Sequence, residues 1–243
     1  MRWLYKLEYK FGRYYIKYLM PVIIAGMAVV YIGDMVMGYS LGYSMSYFVA
    51  FSRDLIFRGE IWRVISFIFT PPGGSILPNV GALATVNNMM HPLFVLMVMY
   101  FIFSVGRSLE TMWGGFRLTV FYLMGILCAI LGGFITPMGF TTNTYLNSSL
   151  FLALATAMPE ANFRLFFMIP LKSKWFILVF FALDLYSILQ AFLIYVPLGL
   201  SHLILFALSL VPYLVYFGPA LWRQFNDWLR IRRNRRNWRN GTR

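Results

Sequence analysis

The sequence predicts an all-α polytopic membrane protein, and composition, apolar runs and the placement of charge predict it. Of the 243 residues, 60% are hydrophobic and only 12% are charged, whereas a soluble domain carries about 25% charged residues. The apolar residues form runs of about 17–20, which are long enough to cross a bilayer as helices. Basic residues are concentrated before the first run and after the last one, and the net charge is +13.

Six apolar runs predict a bundle of six transmembrane helices. The fourth run is short, because Pro159 and Glu160 follow it directly. A helix of that length covers roughly 16 Å, so it is predicted to begin inside the protein. The 38–88 stretch is too long for a structureless connection and is predicted to form a large structured first loop at the membrane face. The predicted spans are 19–37, 89–105, 118–136, 148–158, 174–191 and 198–217.

The two ends of the chain are basic and flank the predicted membrane domain, residues 19–217. Apolar and aromatic residues recur at helical spacing in 1–18, which predicts an amphipathic segment on the membrane surface. The 218–243 tail carries eight arginines. Because basic flanks remain cytoplasmic, both termini are predicted to be cytoplasmic, which an even number of spans permits. The spaced residues of the first segment are Trp3, Leu7, Phe11, Tyr14 and Tyr18.

The basic tail, "RIRRNRRNWRNGTR", has two interpretations. A run of arginines is compatible with nucleic-acid binding. A basic segment beside a membrane span is more often a topology signal held by anionic lipid. We therefore predict anionic lipids and no nucleic acid as its partners. The chain shows no organelle address, so a bacterial plasma membrane is the predicted location.

Two motifs stand at the edges of predicted spans. The first is "GEIWRVISFIF" at 59–69, with Trp62 and Arg63. The second is "GRSLETMWGGFRLTVFY" at 106–122, with Gly106, Glu110, Gly114, Arg117 and Tyr122. Together with a large first loop, a serine at the start of a short fourth helix and a histidine in the sixth, they resemble the rhomboid superfamily. That family includes intramembrane serine proteases, derlins and inactive rhomboids, and the resemblance covers about 50–217.

The resemblance implies a catalytic dyad of Ser149, the nucleophile, and His202, the base. The surroundings of the dyad depart from the family pattern. Gly-x-Ser-Gly reads Asn147-Ser148-Ser149-Leu150 here, and Leu205 stands where His-x-x-Gly has its glycine. A missing oxyanion donor costs about 10²–10³ in rate, and only Asn147 is left as a replacement donor. If His91 is the family's oxyanion histidine, Val95 stands in place of its asparagine partner.

We therefore predict a non-catalytic, derlin-like or pseudoprotease member that binds transmembrane helices of client membrane proteins. The alternative is an active rhomboid protease that cleaves transmembrane segments through Ser149 and His202. Without the resemblance, Asn147, Ser148 and Ser149 are favoured residues for a helix N-cap. His202 is then a buried histidine that bonds across helices.

The motif residues also have structural interpretations. Trp62 is a typical interfacial residue, and Arg63 is able to satisfy loop carbonyls or lipid phosphates. Glu110 is predicted to accept hydrogen bonds from the helix start near Gly114 and Arg117.

Other chemistries have less support. The two histidines are far apart and no His-Glu-x-x-His occurs, which excludes a zinc metalloprotease motif. Asp34 and Asp184 are the candidates for an intramembrane aspartate pair. Asp184 lies in the middle of a predicted span, which by itself hints at function, either as a polar contact within the bundle or as part of a transport path. No cofactor and no metal is implied.

Overall fold

The computed structural model describes residues 6, 8–10, 12–13, 15–41, 44–72, 92–141, 143–158, 162–165 and 169–241. Within these residues, four helices are long and apolar enough to cross a membrane. The chain is therefore an all-α integral membrane protein. The four helical stretches are Leu19–Met37, Pro92–Trp113, Gly115–Ile135 and Val196–Arg232.

Long helices make up most of the described chain, and short helices and strands fold the first loop, which follows the first long helix. Two antiparallel strand pairs, β1 with β2 and β3 with β4, are the sheets of the described chain. The helices are α1 (Leu19–Leu41), α2 (Met45–Val49), α3 (Arg53–Phe57), α4 (Arg63–Ser66), α5 (Pro92–Trp113), α6 (Gly115–Ile135), α7 (Thr144–Ala157), α8 (Ser173–Ile194) and α9 (Val196–Gly241). A 3₁₀ turn at Phe67–Phe69 follows α4, and the strands are β1 (Phe51–Ser52), β2 (Phe140–Thr141), β3 (Asn162–Leu165) and β4 (Ile169–Lys172).

Helix α5 runs farther than its predicted span. The prediction ended it at Val105, ahead of Arg107 and Glu110, but the helix ends at Trp113. The two charges do not break the helix because Arg107 pairs with Glu110 at 2.9 Å, one turn along. The Glu110 side chain therefore accepts from Arg107, while its backbone carbonyl accepts from the N–H of Gly114, the residue that precedes α6, at 2.9 Å. The predicted start of this span, with His91, lies outside the described residues.

Helix α7 begins four residues before its predicted start. Thr144 opens the helix and Asn143 precedes it. Asn147 already donates its backbone N–H to the Asn143 carbonyl at 2.9 Å. The interpretation of Asn147, Ser148 and Ser149 as an N-cap is therefore wrong, because all three lie within the helix.

The position of α7 follows from its contacts. Its 14 residues reach about 21 Å, and it packs against α5, α6, α8 and α9. Its start is fixed to the first loop, because Asn143 donates to the Ile68 and Thr70 carbonyls at 2.7 and 2.8 Å. A short helix surrounded by longer ones is what the sequence predicts.

The first loop is folded, as predicted for the part between 44 and 72. Strand β1 pairs with β2, which places Phe51 opposite Thr141. Arg53 donates its backbone N–H to the Gly139 carbonyl at 2.7 Å. The loop after α1 is thereby joined to the loop after α6.

The N-terminal segment and the middle of α9 both contact the start of α6. Arg117 donates to Glu8 at 2.7 Å, and the Tyr216 hydroxyl of α9 donates to the Arg117 carbonyl at 2.9 Å. Helix α9 continues past its predicted end at 217 as far as Gly241, with Pro212 and Pro219 inside it. The basic tail is thus a helical extension of the last span. Of the predicted amphipathic segment, Trp3, Leu7, Phe11 and Tyr14 lie outside the described residues.

Candidate functional site between α7, α8 and α9

Helices α7 and α9 run parallel in a register set by two polar contacts. The Tyr145 hydroxyl of α7 bonds His202 Nδ1 of α9 at 2.5 Å. Three turns farther along, Thr156 of α7 bonds the Tyr213 hydroxyl of α9 at 2.9 Å. Both pairs are separated by 57 residues in the sequence. A constant offset means that the helices point in the same direction, and Ser149 lies between the two contacts.

His202 is held by aromatic side chains. Its ring lies edge-on to Phe140, with centroids 5.5 Å apart, and to Tyr145, at 6.0 Å. The half-buried imidazole thus bonds across helices, and its partner is a tyrosine. The base of the predicted dyad is directed to Tyr145, one turn before Ser149.

Ser149 is buried and bonds within its own helix. Its hydroxyl donates to the Leu146 carbonyl at 2.7 Å, and it shares no hydrogen bond with His202. The structure places the two dyad residues on neighbouring helices and does not join them. A serine nucleophile needs its base within hydrogen-bond reach, so this arrangement lacks the activating contact.

The surroundings of Ser149 also differ from an oxyanion site. Asn147 is buried, and its Oδ1 has no hydrogen-bond partner among the described residues. Leu150 is fully buried in the core. Leu205 of α9 packs on Gly132 of α6, where an added Cβ would lie 2.7 Å from its Cδ2. The small residue at this close contact is therefore on α6 and not on α9.

Asp184 faces a cleft between α7, α8 and α9. The cleft has an accessible volume of about 20 Å³, and Asp184 is only 7% exposed. Hydroxyl groups and aromatic rings make up much of the wall. The lining residues are Ser148, Ser149, Phe151, Leu152, Phe181, Asp184, Phe206, Ser209 and Leu210.

The neighbours of the Asp184 carboxylate are hydroxyl groups. Ser148, Ser149 and Ser209 line the same cleft as Asp184, and the Ser148 hydroxyl donates to the Thr144 carbonyl at 3.2 Å. Among the described residues, no lysine or arginine forms an ion pair with Asp184. An isolated carboxylate at this depth is costly and marks a candidate functional residue.

Asp34 has a structural role that does not involve Asp184. Its carboxylate accepts hydrogen bonds from the Ser44 hydroxyl at 2.9 Å and the Ser46 N–H at 2.7 Å. The Ser46 hydroxyl donates to its second oxygen. These contacts hold the start of α2 against α1, and they account for the burial of Asp34. The hypothesis of an Asp34–Asp184 catalytic pair finds no support in this geometry.

The residues of the first motif fix the first loop. Arg63 is 1% exposed and donates to the Tyr47 and Ala50 carbonyls at 2.5 and 2.8 Å. Its Nε donates to Glu60 at 2.6 Å. Trp62 is 57% exposed and donates to the Phe48 carbonyl at 3.3 Å. Arg63 thus takes loop carbonyls as partners, and Trp62 remains at the surface.

The residues of the second motif shape the α5–α6 turn. Gly114 has φ +85°, a conformation that glycine adopts without strain. Gly106 lies against α1, where a Cβ would meet the Met20 side chain at 2.4 Å. Arg117 pairs with Glu8. None of these residues lines the Asp184 cleft.

Three residues of this region were missed by the sequence reasoning: Tyr145, Ser209 and Tyr213. A signal for them exists, because Tyr145, Ser149 and Thr156 recur at helical spacing along α7. The matching positions on α9 are known only once the two helices are placed side by side.

Comparisons with known proteins add nothing here: the chain matches no family model, no curated protein and no solved structure.

Proposed function

We propose that this protein is a non-catalytic, rhomboid-like membrane protein that binds transmembrane helices of client membrane proteins. In this proposal α1 and α5 to α9 are the six helices of the bundle. Both termini are cytoplasmic, the membrane is a bacterial plasma membrane, and anionic lipids contact the basic ends.

One observation carries the non-catalytic part of the proposal. The hydroxyl of Ser149 is bonded to the Leu146 carbonyl, and His202 is bonded to Tyr145. Each member of the dyad has a partner other than its supposed catalytic one. Present residues without a preorganised geometry contribute little to catalysis.

The client-binding part is supported by the edge of the Asp184 cleft. Phe181 of α8 is 45% exposed, and Leu152 and Leu210 beside it are half-buried. An apolar edge with polar groups behind it suits a helix that approaches through the lipid. Helix–helix contacts in a membrane depend on packing and on interhelical hydrogen bonds.

Two measurements test the proposal on the full chain in nanodiscs. A fluorophosphonate probe is expected to label the wild type no more than Ser149→Ala, Ser148→Ala or His202→Ala. A photo-crosslinking residue at position 181 is expected to capture a synthetic transmembrane peptide. The same residue at position 193 is the control, because Leu193 is 81% exposed on α8 and lies outside the cleft. Equal capture at both positions would contradict client binding at the cleft.

The alternative function is an active intramembrane serine protease. The geometry that favours it is the spacing of α7: Tyr145, the partner of His202, is one turn from Ser149. Labelling that disappears in both Ser149→Ala and His202→Ala would replace the proposal with this alternative. Thr141→Ala is measured together with these variants. The buried Thr141 hydroxyl has no hydrogen-bond partner among the described residues, and Phe140 beside it contacts His202.

A further inference from the structure

We infer that the Asp184 cleft binds a positively charged side chain, a lysine or an arginine, carried by a client's transmembrane helix. This inference rests on the proposed binding of client helices and names the chemistry that selects them. Its basis is the set of polar atoms that the cleft presents, together with the aromatic rings around them.

The serines of the cleft present hydrogen-bond acceptors. Ser149 donates its proton to Leu146 and Ser209 donates to Phe206, both at 2.7 Å. Each hydroxyl donates its one proton to a carbonyl of its own helix, and its lone pairs remain available as hydrogen-bond acceptors. The open sides of these groups are therefore able to accept but not to donate.

Asp184 gives the cleft its charge. The Ser148 hydroxyl donates to the Thr144 carbonyl at 3.2 Å, and both oxygens of the Asp184 carboxylate are acceptors. A cleft with one carboxylate and several acceptor hydroxyls is complementary to a group that carries only donors. The ammonium of lysine and the guanidinium of arginine are such groups.

The position of Asp184 favours a positively charged partner. The carboxylate is 7% exposed in the middle of α8, and the described residues supply no basic partner for it. Ionisable groups inside a membrane normally pair with one another. A client helix with a basic residue at the same depth would provide the missing positive charge. The free-energy cost of placing that basic residue in the bilayer would fall as well.

Aromatic rings favour an organic cation over a bare metal ion. Phe151, Phe181 and Phe206 line the cleft, and the Phe181 and Phe206 rings lie edge-on with centroids 5.3 Å apart. Aromatic faces attract lysine and arginine head groups. A hard metal cation would need oxygen ligands on most of its sides, and rings occupy much of this wall.

The test uses the full chain in nanodiscs and synthetic leucine–alanine transmembrane peptides that differ at one central residue. The central residue is Lys, Arg or Leu, and the affinity of each peptide is measured by fluorescence. The protein variants are Asp184→Asn, Asp184→Glu and Ser209→Ala. Asp54→Asn is the matched control, because the side chain of Asp54 is 75% exposed in the first loop.

We expect the Lys and Arg peptides to bind the wild type about tenfold more tightly than the Leu peptide, as for a hydrogen bond to a charged group. This preference should disappear in Asp184→Asn, persist in Asp184→Glu, weaken in Ser209→Ala and remain unchanged in Asp54→Asn. The affinity for the Leu peptide should be the same in all of them.

Three other outcomes would overturn the inference. Equal affinity for Lys and Leu peptides would leave helix binding intact but remove the role of Asp184. Failure of every peptide to bind would remove the proposed function as well. Sodium binding that is lost in Asp184→Asn, with no preference among peptides, would assign the cleft to a free cation.

Discussion

Two buried aspartates show how partners decide the role of a residue. Asp34 receives three hydrogen bonds from the start of α2, so its charge is fully used within the fold. Asp184 shares a cleft with three serines and forms no ion pair with another described residue, so its charge is available to a ligand. The same residue type at similar burial is structural in one place and a candidate binding group in the other.

The role of Asp34 predicts a large loss of stability on its removal. Asp34→Ala leaves the Ser46 N–H and two hydroxyls without an acceptor in a buried place, which costs about 2–4 kcal/mol. The measurement is the free energy of unfolding in detergent, followed by tryptophan fluorescence. Asp54→Ala is the control, and its cost should stay within about 0.5 kcal/mol because the side chain is exposed. Similar values for both variants would contradict this role.

Glycines determine how closely the helices approach each other. Gly132 of α6 faces Leu205 and Leu208 of α9, where a Cβ would lie 2.7 and 3.1 Å from their methyl groups. Gly106 of α5 makes a similar contact with Met20 of α1. Small residues at such contacts let helix backbones pack closely in a membrane. The register of α9, and with it the depth of His202 and Ser209, depends on this packing.

Gly132→Ala is predicted to destabilise the protein by about 1–3 kcal/mol, because the added methyl overpacks the α6–α9 contact. Leu205→Ala in the same chain should reduce the cost of Gly132→Ala, since it removes the side chain that the methyl meets. The control is Gly218→Ala, where nothing lies within 4 Å of the added atom and helix propensity favours alanine. Additive costs in the double variant would show that the two residues do not interact.

At the scale of the whole molecule, the proposed function depends on how many helices cross the bilayer. Within the part of the chain that the structure describes, four helices are long and apolar enough to span, while α7 is short and packs against α5, α6, α8 and α9. The proposed function needs α7 and α8 to cross as well, so that the cleft lies within the membrane. The side on which the 162–165 strand lies distinguishes four spans from six.

Cysteine labelling decides between these topologies. In a Cys128→Ser background, Arg164→Cys should resist an impermeant maleimide in intact cells, because six spans place it on the cytoplasmic side with both termini. Tyr195→Cys should react from outside, and Lys6→Cys should react only after the cells are opened. Labelling of position 164 from outside would mean that only four helices cross and would remove the proposed setting of the cleft.

The sequence by itself determined that this is a helical membrane protein, because the length of an apolar run and the cost of burying backbone in lipid are local properties. It also determined the first span, the short α7 and the folded first loop. Tertiary structure decided what the polar residues do. His202 bonds Tyr145 and not Ser149, Glu110 pairs with Arg107, and Asp184 joins three serines at one cleft. These pairings depend on which helices are neighbours and in what register, and helix periodicity carries no information about either.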